Sequence, residues 1–461
     1  MGKQKPVIGL IVGLIIGIGL YFMNFPGLST EGHLCLSFSL MTVAFWAFGV
    51  AQPGYISALY LVLLSVFNVA PGTLIFSTWT GPMMYLIIGA YLIAAAVNDS
   101  GLGERIAYWY IDRYVTDFKS IIISIFVLTF ILALLIPHPW PRAFLIMSVM
   151  SVVIKSANIP KVDAVKIGFT VFTASIPVSM IFLTGDASIN PLAAASVTPA
   201  PLGWMAWLEV MGVPMIVASL ITLGMILVMF KPSQEISVNK TEIAAKRQSL
   251  GAMTGIEKRT ALWVVIAIIL WMTDSIHGIN IGWVTLFIAV MMALPKVGGI
   301  LTPQSWSSVP VQTLLFLTAA VAIGRVGGET GMNAWIAQTL LPTAVPDNMF
   351  ILVAFITLIS IIVHMFFGSV IAVMGIVIPA MLAFTQPLGV NSIIPVMATY
   401  IAVNCHFVLP FHNLAILVGM GEENGMYSEK ETIKFGVPYT IVLFILTCVV
   451  SLPWWKVLGL W

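Results

Sequence analysis

Apolar runs of spanning length, cut by short polar clusters, recur along the whole 461-residue chain. A helix that crosses a bilayer needs about 20 mainly apolar residues. Runs of that kind lie at 7–23, 34–51, 55–71, 82–98, 163–184 and 206–230, and again at 260–276, 280–295, 311–327, 392–410 and 435–455. Two longer apolar blocks, 119–158 and 348–386, are each interrupted in the middle. The first breaks at Pro137-His138-Pro139-Trp140-Pro141-Arg142, the second around His364-Met365-Phe366-Phe367-Gly368-Ser369. Both read as helical hairpins that re-enter the bilayer rather than as pairs of full spans.

Two stretches say nearly the same thing. Pro82–Ile111 lies over Gln312–Leu341 without a gap: Gly101-Leu102 meets Gly331-Met332, Ile106-Ala107 meets Ile336-Ala337, and Asp99-Ser100 meets Glu329-Thr330. Each copy is an apolar span, an acidic-hydroxyl-glycine break, then an amphipathic turn of helix. One copy per half is the trace of a secondary transporter, which holds its substrate near mid-bilayer between related halves, on broken helices. The fold expected is an all-α polytopic membrane protein. An extra N-terminal helix occupies 1–30, and a first repeat occupies 31–230, with its hairpin at 119–158 and an unwound helix near 184–191. A basic linker follows at 231–259. A second repeat fills 260–461, with its hairpin at 348–386 and an unwound helix near 409–413. The total is about 11 spans plus two re-entrant hairpins.

Composition agrees with this pattern. Hydrophobic residues make up 60% of the chain and charged residues 8%, with mean hydropathy +1.05; a soluble domain carries roughly 25% charged residues. The net charge of +2 points to no nucleic-acid partner. The three cysteines have no metal-ligand spacing and read as packing residues. Lys231, Lys240, Lys246, Arg247, Lys258 and Arg259 place the linker in the cytoplasm, and Lys3 and Lys5 do the same for the N-terminus. Six spans between them satisfy both if the first hairpin does not cross, so the two five-helix repeats start on opposite sides and are inverted. The location implied is the plasma (inner) membrane, multi-pass. Trp79, Trp109, Trp454, Trp455 and Trp461 read as interfacial residues. No nucleophile elbow, phosphate loop, HExxH or CxxC pair is present, so no enzyme is expected and no cofactor is implied.

Ionisable groups at bilayer depth cost about 2.5–3.5 kcal/mol and are functional candidates for that reason. Arg142 follows Pro139-Trp140-Pro141 in the first hairpin break. Proline frees backbone groups and starts a new helix, whose N-terminus favours anions. A guanidinium there fits a carboxylate or sulfonate in two-point fashion. The alternatives are an arginine that snorkels to the interface or one ion-paired with Asp186. Asp186 and Ser188 lie in Thr184-Gly185-Asp186-Ala187-Ser188-Ile189-Asn190-Pro191, whose residue types unwind a helix and offer oxygens to a cation or a substrate; the alternative is a solvent-facing loop. In the second half, Leu409-Pro410-Phe411-His412-Asn413 is the counterpart. His412 can donate to an anion or carry a proton, or else forms a capped pair with Asn413. A metal site with His406 has the wrong helical spacing. His138 and His364 flank the two hairpin breaks and could also be plain packing residues. Ser369 and Gly368 allow close backbone approach in the second break.

The segment PMMYLIIGAYLIAAAVNDSGLGERIA resembles the fourth-helix signature of the divalent anion:sodium symporter family. Ala261–Pro295, with Ser275-Ile276-His277-Gly278, resembles the opening of that family's second repeat. Tyr427-Ser428-Glu429-Lys430 through Phe435-Gly436 resembles the loop before its last helix, and Pro453-Trp454-Trp455-Lys456-Val457-Leu458-Gly459-Leu460-Trp461 its usual terminus. The resemblance covers nearly the whole chain. It implies a homodimer with a scaffold domain and a transport domain that moves by an elevator-type displacement. It also implies Ser-Asn-Thr motifs at both hairpin tips, lining substrate and sodium sites, and these are absent: the tips read Pro137–Arg142 and Ser369-Val370-Ile371.

The function expected is secondary transport of a small organic anion, first a dicarboxylate. A sulfonate or sulfate transporter is the alternative, as is an anion channel or sensor on the same fold. Arg142 is expected to supply fixed charge where relatives use sodium. Coupling would then be to protons, through Asp186 or His412, or to exchange of one anion for another.

Overall fold

The computed structural model describes residues 5–238, 240–340, 348–366 and 369–461, and their regular structure is helical. In chain order, α1 (Lys5–Phe22), α2 (Thr30–Phe48) and α3 (Pro53–Val66) are followed by the single turns α4 (Gly72–Ile75) and α5 (Ser77–Thr80). Next come α6 (Pro82–Ser100), α7 (Leu102–Tyr114), α8 (Phe118–Leu135), α9 (Pro139–Ser156), α10 (Lys161–Ser179), the short α11 (Asn190–Ala195) and α12 (Trp204–Met229). α13 (Lys240–Ser249) and α14 (Gly255–Met272) lead through the turn α15 (Asp274–His277) to α16 (Ile281–Ala293). The second half continues with α17 (Val311–Glu329), α18 (Met332–Leu340), α19 (Met349–Phe366), α20 (Val370–Thr385), α21 (Ile393–Asn404) and the short α22 (Leu414–Gly419). α23 (Glu429–Leu446) runs through a π-helical stretch, Thr447–Ser451, into α24 (Leu452–Val457). Among the described residues, seven helical stretches are long and apolar enough to cross a membrane.

The internal likeness is structural as well as sequential. α6 ends on Gly101 at φ +78° before α7 begins, and α17 gives way to α18 through Gly331 at φ +79°. That left-handed conformation ends a helix at little cost only when the residue lacks a Cβ.

Each interrupted block is a pair of helices around a short break. Ile136 is extended because Pro137 follows it. His138 caps α9, and Pro139 takes its first position, where a missing N–H costs nothing. The break is therefore Ile136–His138, shorter than the Pro137–Arg142 expected, and Arg142 lies inside the first turn of α9. In the second block Ser369 Oγ accepts from Ala372 N–H at the start of α20; Phe367 and Gly368 lie outside the described residues. Two expected spans are also shorter than read. α16 has 13 residues because Leu294 precedes Pro295 and turns extended. α21 has 12 and stops at Asn404, ahead of Pro410.

In the first half α8 and α9 both pack on α10; in the second, α19 and α20 both pack on α21. α22 crosses to α10 and joins the two groups. Outside them α6 lies along α16, and α17 along α3. Gly89 makes the first of these contacts possible, since a Cβ there would sit 2.8 Å from the Leu286 nitrogen. Trp455 is not interfacial: it is fully buried and donates to the Val210 carbonyl at 3.1 Å.

The linker is fastened rather than free. α13 packs on α7 and α9. Arg105 of α7 grips Glu257 through two donors (2.7 and 3.1 Å) and donates to the carbonyls of Gly251 (2.8 Å) and Leu250 (3.0 Å). Arg247 pairs with Asp112 at 2.8 Å, and Asp163 accepts from both the N–H and the hydroxyl of Ser233. The helices that flank the first hairpin, α7 and α10, are thus tied to the segment that joins the halves, and α13 also packs on the second arm, α9. Arg105→Ala should lower stability by about 1.5–3 kcal/mol, the range for hydrogen bonds to charged groups, read as a fall in the thermal midpoint of the purified protein in detergent. An unchanged midpoint would show that the clasp carries no stability.

Candidate functional site

A broken helix inside a bilayer leaves carbonyls and N–H groups that water cannot reach, so protein groups must bind them. After α10 the chain runs irregularly from Met180 to Ile189, with a single 3₁₀ turn at Leu183–Asp186. Side chains claim the carbonyls of Ser179, Met180, Phe182 and Gly185. Asn190 donates its amide protons to Ser179 and Phe182 (both 2.8 Å). Trp207 donates to Met180 at 3.1 Å. Arg142 donates to Gly185 at 3.2 Å and to Ile136, at the end of α8, at 3.0 Å. The Ala187 N–H reaches the Pro137 carbonyl at 3.1 Å, which joins the break of the hairpin to the break of the helix.

The second half repeats the device. α21 ends at Asn404, and Asn413 donates to the Asn404 carbonyl at 2.8 Å while its own oxygen caps α22 through Ala415 N–H at 3.0 Å. Tyr400 links the two halves. Its hydroxyl donates to the Asn190 side-chain oxygen and accepts from the Asn404 amide at 3.2 Å.

The four breaks surround one cavity of about 1290 Å³. The first hairpin contributes His138, Pro139, Trp140 and Pro141, and the second contributes Ser369, Val370 and Ile371. The unwound segments contribute Asp186 and Ser188 from one half and Phe411, His412 and Asn413 from the other. Ser175, Ser179 and Asn404 add hydroxyl and amide groups from the ends of α10 and α21. The facing wall comes from α6 (Tyr91, Asn98, Asp99), residues 302–310 and the start of α17. Two long helices, α9 and α20, begin at this cavity, so the positive ends of their dipoles favour an anion inside it.

Most expected residues thus come together, and each is held in place. His138 Nδ1 accepts from the Trp140 N–H at 3.3 Å, which leaves the proton on Nε2 as a donor. Its ring lies 4.9 Å from Tyr91, whose hydroxyl meets Ser188 Oγ at 2.9 Å. The Asp186 carboxylate accepts from the N–H groups of Ser188 (2.9 Å) and Ile189 (3.3 Å). It is buried at the cavity, not a solvent-facing loop residue. Gly368 lies outside the described residues.

Arg142 stands apart from the others. It is fully buried, does not line the cavity, and does not snorkel to an interface. Nor does it ion-pair with Asp186: its hydrogen bonds go to two carbonyls, and its Nε and Nη2 have no partner. The guanidinium sits one layer behind the first hairpin tip because the carbonyls freed there are its nearest acceptors. His364 likewise stays off the cavity, buried on α19 against His406 and His412.

Sequence reading did not single out Asn190, Tyr400 and Asn404, which hold the two broken helices together. The usable signal was small: a polar amide beside each break, ahead of Pro191 in one half and ahead of Cys405 in the other. Among the described residues no three His, Cys, Asp or Glu side chains are arranged to hold a metal ion.

The family model described as sodium:sulfate symporter transmembrane region matches residues 4–461. The chain is 25% identical to the chloroplastic dicarboxylate transporter 1 of Spinacia oleracea, over 98% of this chain and 81% of that protein. It is 24% identical to the putative malate transporter YflS of Bacillus subtilis, over 74% and 73%. Identity to the sodium-dependent dicarboxylate transporter SdcS of Staphylococcus saprophyticus is 20%, over 90% and 86%. The crystal structure of the Alcanivorax borkumensis YdaH transporter shares the fold, with a TM-score of 0.54 at 12% identity, over 89% of this chain and 99% of that one. A match that runs from residue 4 to the last residue settles the family: this integral membrane protein belongs to the sodium:sulfate symporter, or divalent anion:sodium symporter, family.

Proposed function

We propose that the protein is a secondary transporter of a small organic dianion, a C4 dicarboxylate first among them. One observation carries this reading: the two hairpin breaks and the two unwound helices, drawn from both halves of the chain, line a single chamber. The relatives named for dicarboxylate and malate transport support the choice of substrate class. The chamber wall offers hydrogen-bond donors at His138, Ser369, His412 and Asn413, together with the starts of α9 and α20, and these suit carboxylate oxygens. Asp186 and Ser188 line the chamber beside the first hairpin tip.

Arg142 acts from behind that wall. Its positive charge lies against the carbonyls of Ile136 and Gly185, which turns a cluster of negative dipole ends into a neutral or positive backing for an anion. The charge does the work that a bound sodium ion does where a tip supplies more oxygens. The first tip here presents an imidazole and prolines instead of hydroxyl and amide side chains. Coupling is accordingly to a proton or to a counter-moving anion. The two hairpins and broken helices form the transport domain of a homodimer and carry the chamber across the bilayer in an elevator-type movement. The halves are inverted repeats, with the N-terminus in the cytoplasm of a cell whose plasma membrane holds the protein.

Purified protein should gain thermal stability with succinate or malate. The gain amounts to about 2.7 kcal/mol at a hundredfold excess over Kd, and choline should support it as well as sodium does. A larger gain with sulfate than with any dicarboxylate would overturn the substrate class, and strict sodium dependence would overturn the role given to Arg142. Proteoliposomes loaded with succinate should take up labelled succinate saturably; conductance without saturable exchange would mark a channel. Arg142→Met should weaken succinate binding about tenfold or more, which is ~1.4 kcal/mol. An unchanged affinity in a folded variant would remove the guanidinium from anion recognition.

A further inference from the structure

Three of the six histidines meet at the chamber wall, His412 lining it and the other two behind it. His364 lies in the last turn of α19, and His406 and His412 lie in the irregular segment after α21. Their ring centroids are 5.1 to 5.5 Å apart, and all three are fully buried. The Nδ1 atoms of His364 and His406 share a hydrogen bond of 3.0 Å, so one ring donates and the other accepts. His412 Nδ1 accepts from the N–H groups of Val408 (3.2 Å) and Leu409 (3.1 Å), which puts its own proton on Nε2. Among the described residues no group lies within hydrogen-bond distance of the Nε2 of any of the three rings, although the backbone of His412 neighbours His364 and that of Met365 neighbours His412.

The proton count of this cluster is closed. Three neutral imidazoles carry three protons on six nitrogens. One proton is on His412 Nε2, one lies in the Nδ1–H···Nδ1 bond, and one is on Nε2 of the ring that accepts in that bond. The donating ring is left with a bare Nε2, and both remaining Nδ1 lone pairs are already used. The cluster therefore has room for one added proton, which makes an imidazolium hydrogen-bonded to an imidazole. A second would have to break a hydrogen bond.

Among the described residues, nothing around the rings competes for that role. Packed against them, α20 and α22 bring no titratable side chain. α21 and the segment after it bring Tyr400 and Cys405, the π-helical stretch brings Cys448, and α23 brings Tyr439, with Glu429, Lys430, Glu431 and Lys434 at its far start. Asp186 lines the same chamber as His412, and Arg142 lies on α9, which packs on α22. None of these groups hydrogen-bonds or ion-pairs with a ring.

We propose that His364, His406 and His412 form a one-proton site, coupled through His412 to the anion in the chamber, and that this proton is the ion that moves with the anion. The inference rests on the reading that the chamber binds an anion. His412 lines the chamber, while the lone pair sits on the His364–His406 pair just behind it. Arg142 places a permanent cation where the first hairpin meets the first broken helix. The histidine cluster occupies the same junction in the second half, where a cation appears only when a proton is taken up. A lone charge in so buried a site is costly, and a bound anion offsets that cost. By linkage the proton tightens anion binding by the same factor.

The test is solid-state NMR of the full-length protein, labelled with ¹⁵N-histidine and held in lipid vesicles, from about pH 8 to about pH 4, with and without succinate. His364→Asn and His406→Asn assign the signals, and the Nδ1–Nδ1 hydrogen-bond coupling identifies the pair in the wild type if either variant fails to fold. The expected result is a single imidazolium among the three rings, with a midpoint that succinate raises by about one pH unit, a tenfold tighter proton. Three rings that stay neutral throughout, or two that charge together, would overturn the site. Succinate that binds without moving the midpoint would overturn the coupling. If succinate does not bind and the free protein still gains its one imidazolium, the proton site stands and the dicarboxylate reading is what fails.

Discussion

Backbone that leaves a helix inside lipid must find partners within the protein, and that requirement organises this molecule. The irregular segments after α10 and α21 free carbonyls that no water is there to meet. Several are met by specific side chains: Asn190, Trp207 and Arg142 in the first half, Asn413 in the second. These groups also close the chamber, because a segment held at a fixed distance from its hairpin becomes a wall. The price of breaking two helices is thus returned as a shaped polar space that unbroken helices would not leave.

The two halves reach this arrangement by different chemistry. The first uses a guanidinium, which bridges the end of α8 and the unwound segment. The second uses imidazoles and amides, with Tyr400 as the link back to Asn190. Internal likeness therefore extends to backbone form, in the matched left-handed glycines Gly101 and Gly331, more than to side chains. Backbone breaks are constrained by geometry and persist, whereas the groups that satisfy them are interchangeable as long as each carbonyl has a donor.

What could be read from the chain follows the same division. The interruptions of the two long apolar blocks and the irregular stretches near 184–191 and 409–413 were legible, because proline and glycine breaks are local signals; of about 11 expected spans, seven helical stretches among the described residues are long and apolar enough to cross a membrane. Helix ends were less so, and α16 and α21 stop early where Pro295 and Asn404 intervene. His138, Asp186, Ser188, Ser369, His412 and Asn413 do line the chamber. Arg142 does not, since a sequence shows that a charge is near a break but not which side of the wall it takes. The Tyr400–Asn190 bond spans 210 residues, and no spacing rule reaches across such a distance. The same holds for the histidines, where residues 364, 406 and 412 meet only through the packing of α19 on α21.

The clasp on Arg105 bears on how the chain is made. Its acceptors, Leu250, Gly251 and Glu257, emerge from the ribosome about 150 residues after it does. Until then the arginine lacks those acceptors, and α7 lacks its tie to the linker. The amino-terminal half accordingly waits in an unfinished state during synthesis. The clasp closes only when the linker between the halves has been made.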